Sequence, residues 1–318
     1  MDAKQMLKDY GEEIVNEAFQ DVLSNGVSSP TALRVLRRFS KRWRDYTRAA
    51  LMVMSCQAVG GEIAHVHQAA KGLVLAGGAF DLHDDIIDKS FVRRKAGIKS
   101  IQGIFGVEAT LLAGDALLIG GLLGMAEMPG VSDEIKRRAI AEIRKGLFEL
   151  GSAEMEELAL IRNLETTPKR YLHILWMKSA DVEAYTKVGA IIGNGTEEEI
   201  DALAKFGRCL GMICILRDDL EDTFNDLHEL RSRIMNESLP LPIIYSLKDR
   251  RCHDLLASMF EDLPREPSGE RLKELIKIID ENRGFEKGQA LIDKYVAMAK
   301  EEARKLKDPA PFVALFHS

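Results

Sequence analysis

The chain has 318 residues, 46% of them hydrophobic and 30% charged, a balance that suits a folded globular protein and excludes a disordered one. Its 44 Lys and Arg against 50 Asp and Glu leave a formal net charge of −6. That is a poor match for general nucleic-acid binding, so an anionic ligand must be met by a local cationic cluster or by bound metal.

Taken in chain order, apolar residues recur at i, i+3 and i+4 over residues 2–24, 31–60, 62–90, 103–128, 132–162, 168–193, 196–225, 227–248, 249–262, 270–281 and 284–306. Turn residues separate them: Asn25-Gly26, Ser28-Ser29-Pro30, Pro129-Gly130, Thr166-Thr167-Pro168, Gly193 to Thr196, Pro264 with Pro267, and Asp308-Pro309. Ser132 and Thr196 precede acidic first turns and are expected to cap their helices. No run of four to eight residues alternates apolar and polar with β-branched enrichment. The expected fold is therefore all-α, a single large helical bundle around a central cavity, with one domain over residues 1–318. Cys56, Cys209, Cys214 and Cys252 have no metal-finger spacing and read as reduced core thiols of a cytoplasmic protein. The charged N-terminus does not read as a secretory leader. The apolar stretch from Ala116 to Ala126 falls short of the ~20 residues a bilayer requires, so no membrane span is expected.

The chemistry is concentrated in two acidic clusters, Asp84-Asp85-Ile86-Ile87-Asp88 and Asp218-Asp219-Leu220-Glu221-Asp222. On a helix, Asp84 with Asp88 and Asp218 with Asp222 fall on one face, about 6 Å apart. Hard oxygen donors without sulfur or imidazole favour magnesium, which takes substrate phosphates as further ligands. One such cluster alone reads equally well as a solvated helix face. Two of them, each set in a strongly apolar helix, point to acidic turns lining a cleft. Cations stand nearby in sequence: Lys41, Arg42 and Arg44, then Arg93, Arg94 and Lys95, then Lys178, then Arg217. Metal on one side and cations on the other suit a diphosphate carried on an apolar tail.

At these residues the chain resembles the trans-prenyl diphosphate synthases from about Lys41 to Leu247. Lys41-Arg42-Trp43-Arg44 is similar to that family's basic motif. LHDDIIDKSFVRR resembles its first aspartate motif with the following arginine pair, and GVEATLLAGDAL its next helix. Lys178-Ser179 stands at its Lys-Thr, FGRCLGMICILRDDLED resembles its second aspartate motif, and LPLPIIYSL the usual sequel. The resemblance implies a magnesium-dependent prenyltransferase that joins isopentenyl diphosphate to an allylic diphosphate. It implies metal ligands among Asp84, Asp85, Asp88, Asp218, Asp219 and Asp222, with three magnesium ions. Arg93, Lys178 and Ser179 would contact the allylic diphosphate, and Lys41, Arg44 and Arg94 the isopentenyl diphosphate. It also places the helix carrying Gly120 and Gly124 at a homodimer interface.

The chain departs from the pattern at Phe39 and Ser40, where the family has glycines, and at Asp45, where it has proline. Gly77 stands where a polar residue helps hold isopentenyl diphosphate, Cys214-Ile215 where Phe-Gln precedes the second motif, and the Gly-Lys loop after that motif is missing. Three readings stay open: an elongating synthase, a class I terpene cyclase-like enzyme, or a non-catalytic subunit of a hetero-oligomeric synthase. Small residues before Asp84, Ala79 above all, lean towards products of twenty carbons or longer, with Phe80 able to close the tunnel. His65 and His67 lie two apart and cannot share a helix face. His83 is expected in a core or capping role. Asp81 reads equally as a supporting or a solvated residue, Trp43 and Trp176 as core or cleft wall, and Glu154, Glu156 and Glu157 as a solvated face. Gly120 and Gly124 are expected at a close helix crossing.

Overall fold

The computed structural model describes residues 2–93 and 98–316. In chain order the helices are α1 (Ala3–Asp21), α2 (Pro30–Ser40), α3 (Thr47–Ala58), α4 (Ile63–Ile87), α5 (Ile101–Phe105), α6 (Val107–Met125), α7 (Asp133–Leu158) and α8 (Pro168–Lys178). They continue with α9 (Ala180–Ile192), α10 (Glu197–Phe224), α11 (Leu227–Asn236), α12 (Leu241–Ser246), α13 (Arg250–Glu261), α14 (Gly269–Glu281), α15 (Gly284–Ala303) and α16 (Ala310–Ala314). A π-helical turn, Val22–Gly26, prolongs α1. The β-structure among the described residues is a hairpin of two-residue strands, β1 (Val92–Arg93) and β2 (Ile98–Lys99), paired antiparallel. The fold is all-α, as the periodicity predicts.

The boundaries fall where side chains can take over the orphan groups of helix ends. Thr196 and Glu199 form a reciprocal capping box, Oγ1 accepting from Glu199 N at 3.2 Å and Glu199 Oε2 from Thr196 N at 2.9 Å. Ser132 Oγ accepts from Ile135 N at 3.4 Å. Four expected helices are broken, the one expected over 103–128 at Gly106. The helix expected over 31–60 stops at Ser40 and restarts at Thr47, where Asp45 Oδ1 accepts the Thr47 N–H at 2.8 Å. That over 168–193 breaks at Ser179, and that over 227–248 at Ser238 to Pro240, where Pro240 disfavours helical backbone before it and Pro242 falls in the first turn of α12. Gly106, at φ +88°, separates α5 from α6.

Contacts group the residues into two compact units. The first comprises Met1–Lys145, Val182–Gly207 and Lys300–Ser318, the second Gly146–Asp181 and Arg208–Ala299. In the first, α4 packs along α6. Their backbones touch at Gly72 and Gly121. A Cβ on Gly121 would lie 2.4 Å from Gly72 O, and one on Gly72 2.6 Å from Gly121 O. Close crossing thus falls on Gly121, not on the expected Gly120, around which there is open space; Gly124 faces only the end of Gln68. Leu73, Leu82, Leu117 and Met125 are fully buried around this crossing, and Phe206 packs edge-on against Phe312 at 5.1 Å. In the second unit Tyr171, Ile174, Ile213, Leu256 and Ile279 are buried.

Cys56, Cys209 and Cys252 are buried as expected, and burial pushes the Cys56 thiol up to about 11. Cys214 is the exception: it is exposed on α10, one turn before Asp218. By length and composition α6 is apolar enough to cross a membrane, a longer stretch than the sequence run suggests. It carries Asp115, whose Oδ1 lies 3.3 Å from His83 Nε2 on α4.

Candidate active site

In the first unit the acidic turn is the last turn of α4. Asp84 is exposed, Asp85 nearly covered, and Asp88 half-buried at the C-cap, its N–H bonded to Asp84 O at 2.9 Å. The carbonyl of Asp85 accepts from the buried Gln102 amide and from Ser90 N, so both the exit of the helix and its last turn are pinned. One turn earlier Asp81 accepts the indole N–H of Trp43. This settles two open readings: Asp81 is not a solvated carboxylate, and Trp43 is a core residue that ties the basic segment to α4. Trp43 packs on Phe19 at 5.4 Å and Phe39 at 6.2 Å.

The basic segment lies in the break between α2 and α3. Arg42 donates to Lys99 O at 2.6 Å, and Arg44 to Trp43 O at 2.7 Å and Ser40 O at 3.2 Å. Lys41 and Arg44 are exposed. Phe39, one of the departures from the family pattern, is buried against Phe19, and its ring edge lies where a Cβ on Gly78 would fall, at 2.9 Å. It therefore fills core space. Arg93 belongs to β1, and Arg94 lies outside the described residues.

In the second unit the three aspartates of α10 part company. Asp218 is exposed. Asp222 is nearly covered, with Arg233 Nη1 at 3.9 Å. Asp219 is only 1% exposed, and its carboxylate accepts from Tyr171 Oη at 3.0 Å, Arg233 Nη2 at 2.9 Å and Leu241 N at 2.9 Å. Burial pushes its carboxyl up to about 6, and the Arg233 charge and these hydrogen bonds pull against that shift. A carboxylate committed this way holds α8, α11 and α12 to α10. These bonds give Asp219 a scaffold role, at a position where the resemblance implies a metal ligand.

Lys178, at the end of α8, bonds Glu157 Oε2 at 2.5 Å and lies 3.1 Å from Glu154 Oε1. Burial would raise the Glu157 carboxyl, but Lys178 and Arg233 outweigh it and hold it below the usual carboxylate range. Glu154 and Glu157 are thus not a solvated face, while Glu156 is exposed. Ser179, implied as a diphosphate contact, is buried instead. Its hydroxyl donates to Leu175 O at 2.8 Å, and its Cβ presses on Gly211.

The sequence reading missed Tyr171 and Arg233. Arg233 carried a signal: it stands three residues after the buried Leu230 and next to the buried Ile234, a cation at an inward position of α11. Burial opposes its charge, yet Tyr171, Asp219, Glu237 and Glu157 around it hold its pKa well above the ordinary value.

The donor chemistry suits magnesium. Both acidic turns offer carboxylate oxygen, with Asp84 and Asp218 reaching solvent. Among the described residues no three acidic, histidine or cysteine side chains form a closed cage. Magnesium needs none, since it is held by one or two carboxylates and completed by water and substrate phosphates.

Comparison with known proteins decides the family. The model of the polyprenyl synthetases matches residues 36–279. The chain belongs to the polyprenyl synthetase family. It is thus a trans-prenyltransferase, a prenyl diphosphate synthase by class. A short chain isoprenyl diphosphate synthase of Methanothermobacter thermautotrophicus is 27% identical over 97% of this chain and 94% of its own length. Geranylgeranyl pyrophosphate synthase 12, chloroplastic, of Arabidopsis thaliana is 30% identical over 64% of this chain, which spans 60% of that relative. Among solved structures, geranylgeranyl pyrophosphate synthetase from Pyrococcus horikoshii superposes with a TM-score of 0.86 at 23% identity, covering 98% of this chain and 95% of its own. A polyprenyl synthase from Caulobacter crescentus, complexed with calcium and isoprenyl diphosphate, gives 0.84 at 18% identity, covering 98% and 95%. These two structures share the fold.

Proposed function

We propose that the chain, as one domain over residues 1–318, condenses isopentenyl diphosphate with an allylic diphosphate to make a longer trans-polyprenyl diphosphate, and that it depends on magnesium. One observation carries this reading: Trp43 fastens the cationic segment Lys41–Arg44 to α4 one turn before the Asp84–Asp88 carboxylates. Carboxylates for metal-bound diphosphate and cations for a second diphosphate are then supplied by one rigid region.

Asp84, Asp85 and Asp88 would hold magnesium on the allylic diphosphate, and Asp218, with Asp222 in the next coordination layer, would hold a third ion. When bound there, magnesium would supply positive charge to the departing diphosphate. Lys178, held by Glu154 and Glu157, and Arg93 add positive charge to the same group. Lys41, Arg44 and Arg94 hold the isopentenyl diphosphate. The allylic C–O bond breaks and leaves with its electron pair on diphosphate. The isopentenyl double bond attacks the allyl cation to form the new C–C bond, and a proton lost from the adjacent carbon restores an alkene. Apolar walls keep water from the cation. The enzyme works as a cytoplasmic homodimer, with Leu111, Leu112, Ile119 and Leu123 of α6, all exposed in the monomer, facing the second copy.

The test is incubation with isopentenyl diphosphate, labelled allylic primers and magnesium. Chain growth that stops on chelation is expected. Diphosphate release without growth would replace this reading with the cyclase, and binding without turnover with the non-catalytic subunit.

A further inference from the structure

Arg48, in the first turn of α3, lies across α4 at Gly77. A Cβ on Gly77 would fall 2.5 Å from Arg48 Cδ, 2.6 Å from Nε and 3.0 Å from Cζ. The arginine occupies the space that any side chain at 77 would need. It is anchored on both sides: Asp45 pairs with Nη1, and Nε donates to Tyr185 Oη at 3.1 Å. Gly77, Asp81, Asp84 and Asp88 follow at i, i+4, i+7 and i+11 and share one face of α4. The segment before and into α3 is laid along that face, Trp43 on Asp81 and Arg48 on Gly77. Seven residues separate Gly77 from Asp84, about 10 Å of helix.

An Asp45–Arg48 pair at i, i+3 would form as readily in water, and there it would do little. Here it is drawn onto α4 at the buried Gly77, and the Arg48 side chain keeps only 18% of its exposure. Desolvating a guanidinium is costly unless the placement is used. Its planar fork matches phosphate oxygens. An apolar tail has no use for a cation, whereas a diphosphate does.

We propose that Arg48 is a further binding residue for the diphosphate of isopentenyl diphosphate, admitted by the glycine at 77. This rests on the condensation reading above. The test measures KM for each substrate, and calorimetric binding of isopentenyl diphosphate, for the wild type, Arg48→Ala, Arg48→Lys and Gly77→Ala. Loss of one charge-assisted phosphate contact predicts an isopentenyl KM raised at least about tenfold in Arg48→Ala. Arg48→Lys should fall between, and the allylic KM should stay within about twofold. Gly77→Ala, which keeps the arginine but displaces it, should raise the same KM. Equal isopentenyl KM in wild type and Arg48→Ala overturns the proposal, as does an allylic KM that rises in step with it, the mark of a merely structural pair. If Arg48→Ala folds poorly, Gly77→Ala carries the test: an unchanged KM there overturns it. A wild type that neither binds isopentenyl diphosphate nor extends a primer fails the condensation reading itself, and this proposal falls with it.

Discussion

Asp218 and Asp219 are adjacent, yet their environments predict opposite consequences of removing the charge. Asp219→Asn leaves Arg233, whose side chain is 16% exposed, without the partner at 2.9 Å and weakens the hold on Tyr171 and Leu241. Removing one member of a buried ion pair costs about 3–5 kcal/mol. With an unfolding entropy of about 2.1 cal/mol/K per residue, a chain of 318 residues loses about 4–8 °C in melting temperature. The assay is thermal unfolding at pH 7.5, where a carboxyl pushed up to about 6 is mostly ionised. Asp218→Asn touches an exposed side chain, so its melting temperature should stay within about 1 °C. Its turnover should fall about a hundredfold or more, the loss of a few kcal/mol of metal-centred stabilisation. If Asp219→Asn melts with the wild type, or Asp218→Asn melts several degrees lower with turnover intact, the division of labour on α10 is refuted.

Asp84→Ala should lose orders of magnitude in rate with an unchanged helical circular-dichroism spectrum; near-wild-type turnover would remove this turn from the metal site. Leu112→Asp with Leu123→Asp, the first 68% exposed, should sediment as a monomer while the wild type sediments as a dimer. Gly121→Val forces a side chain into the Gly72 carbonyl and should lower the melting temperature by about 2–4 °C, an overpacking cost of about 1–3 kcal/mol. Gly120→Ala, in open space on the same helix, should instead raise it slightly. Ala79→Phe should shorten the longest product in a primer-extension assay; an unaltered product set removes Ala79 from the tail wall.

The helices were legible because periodicity and caps are local: the Thr196–Glu199 box and Ser132 stand where the spacing puts them. The breaks at Lys41–Tyr46 and Ser179 were not, because apolar residues keep helical spacing across both. What interrupts them is a single side chain, Asp45 capping Thr47 in one case and Ser179 bonding back to Leu175 in the other. The acidic turns could be located from the pattern, but the work each carboxylate does could not. Asp219 differs from Asp218 through Tyr171, 48 positions away, and Leu241, 22 positions away, and no spacing rule encodes such meetings. Glu157 looked solvated because its neighbours in sequence are charged, yet it lies one turn after the buried Ala153 on the same face of α7. Arg48 was invisible for the same reason, since only the folded chain lays it over Gly77.

The contact of bare backbone at Gly72 and Gly121 restricts how this enzyme can change over time. Neither position can acquire a methyl group unless its opposite number retreats, and both already carry the smallest residue there is. Lineages descending from this sequence should therefore keep the couple intact, or lose both together in one remodelling of the helix spacing, and a survey of natural variants would find the two sites moving in lockstep.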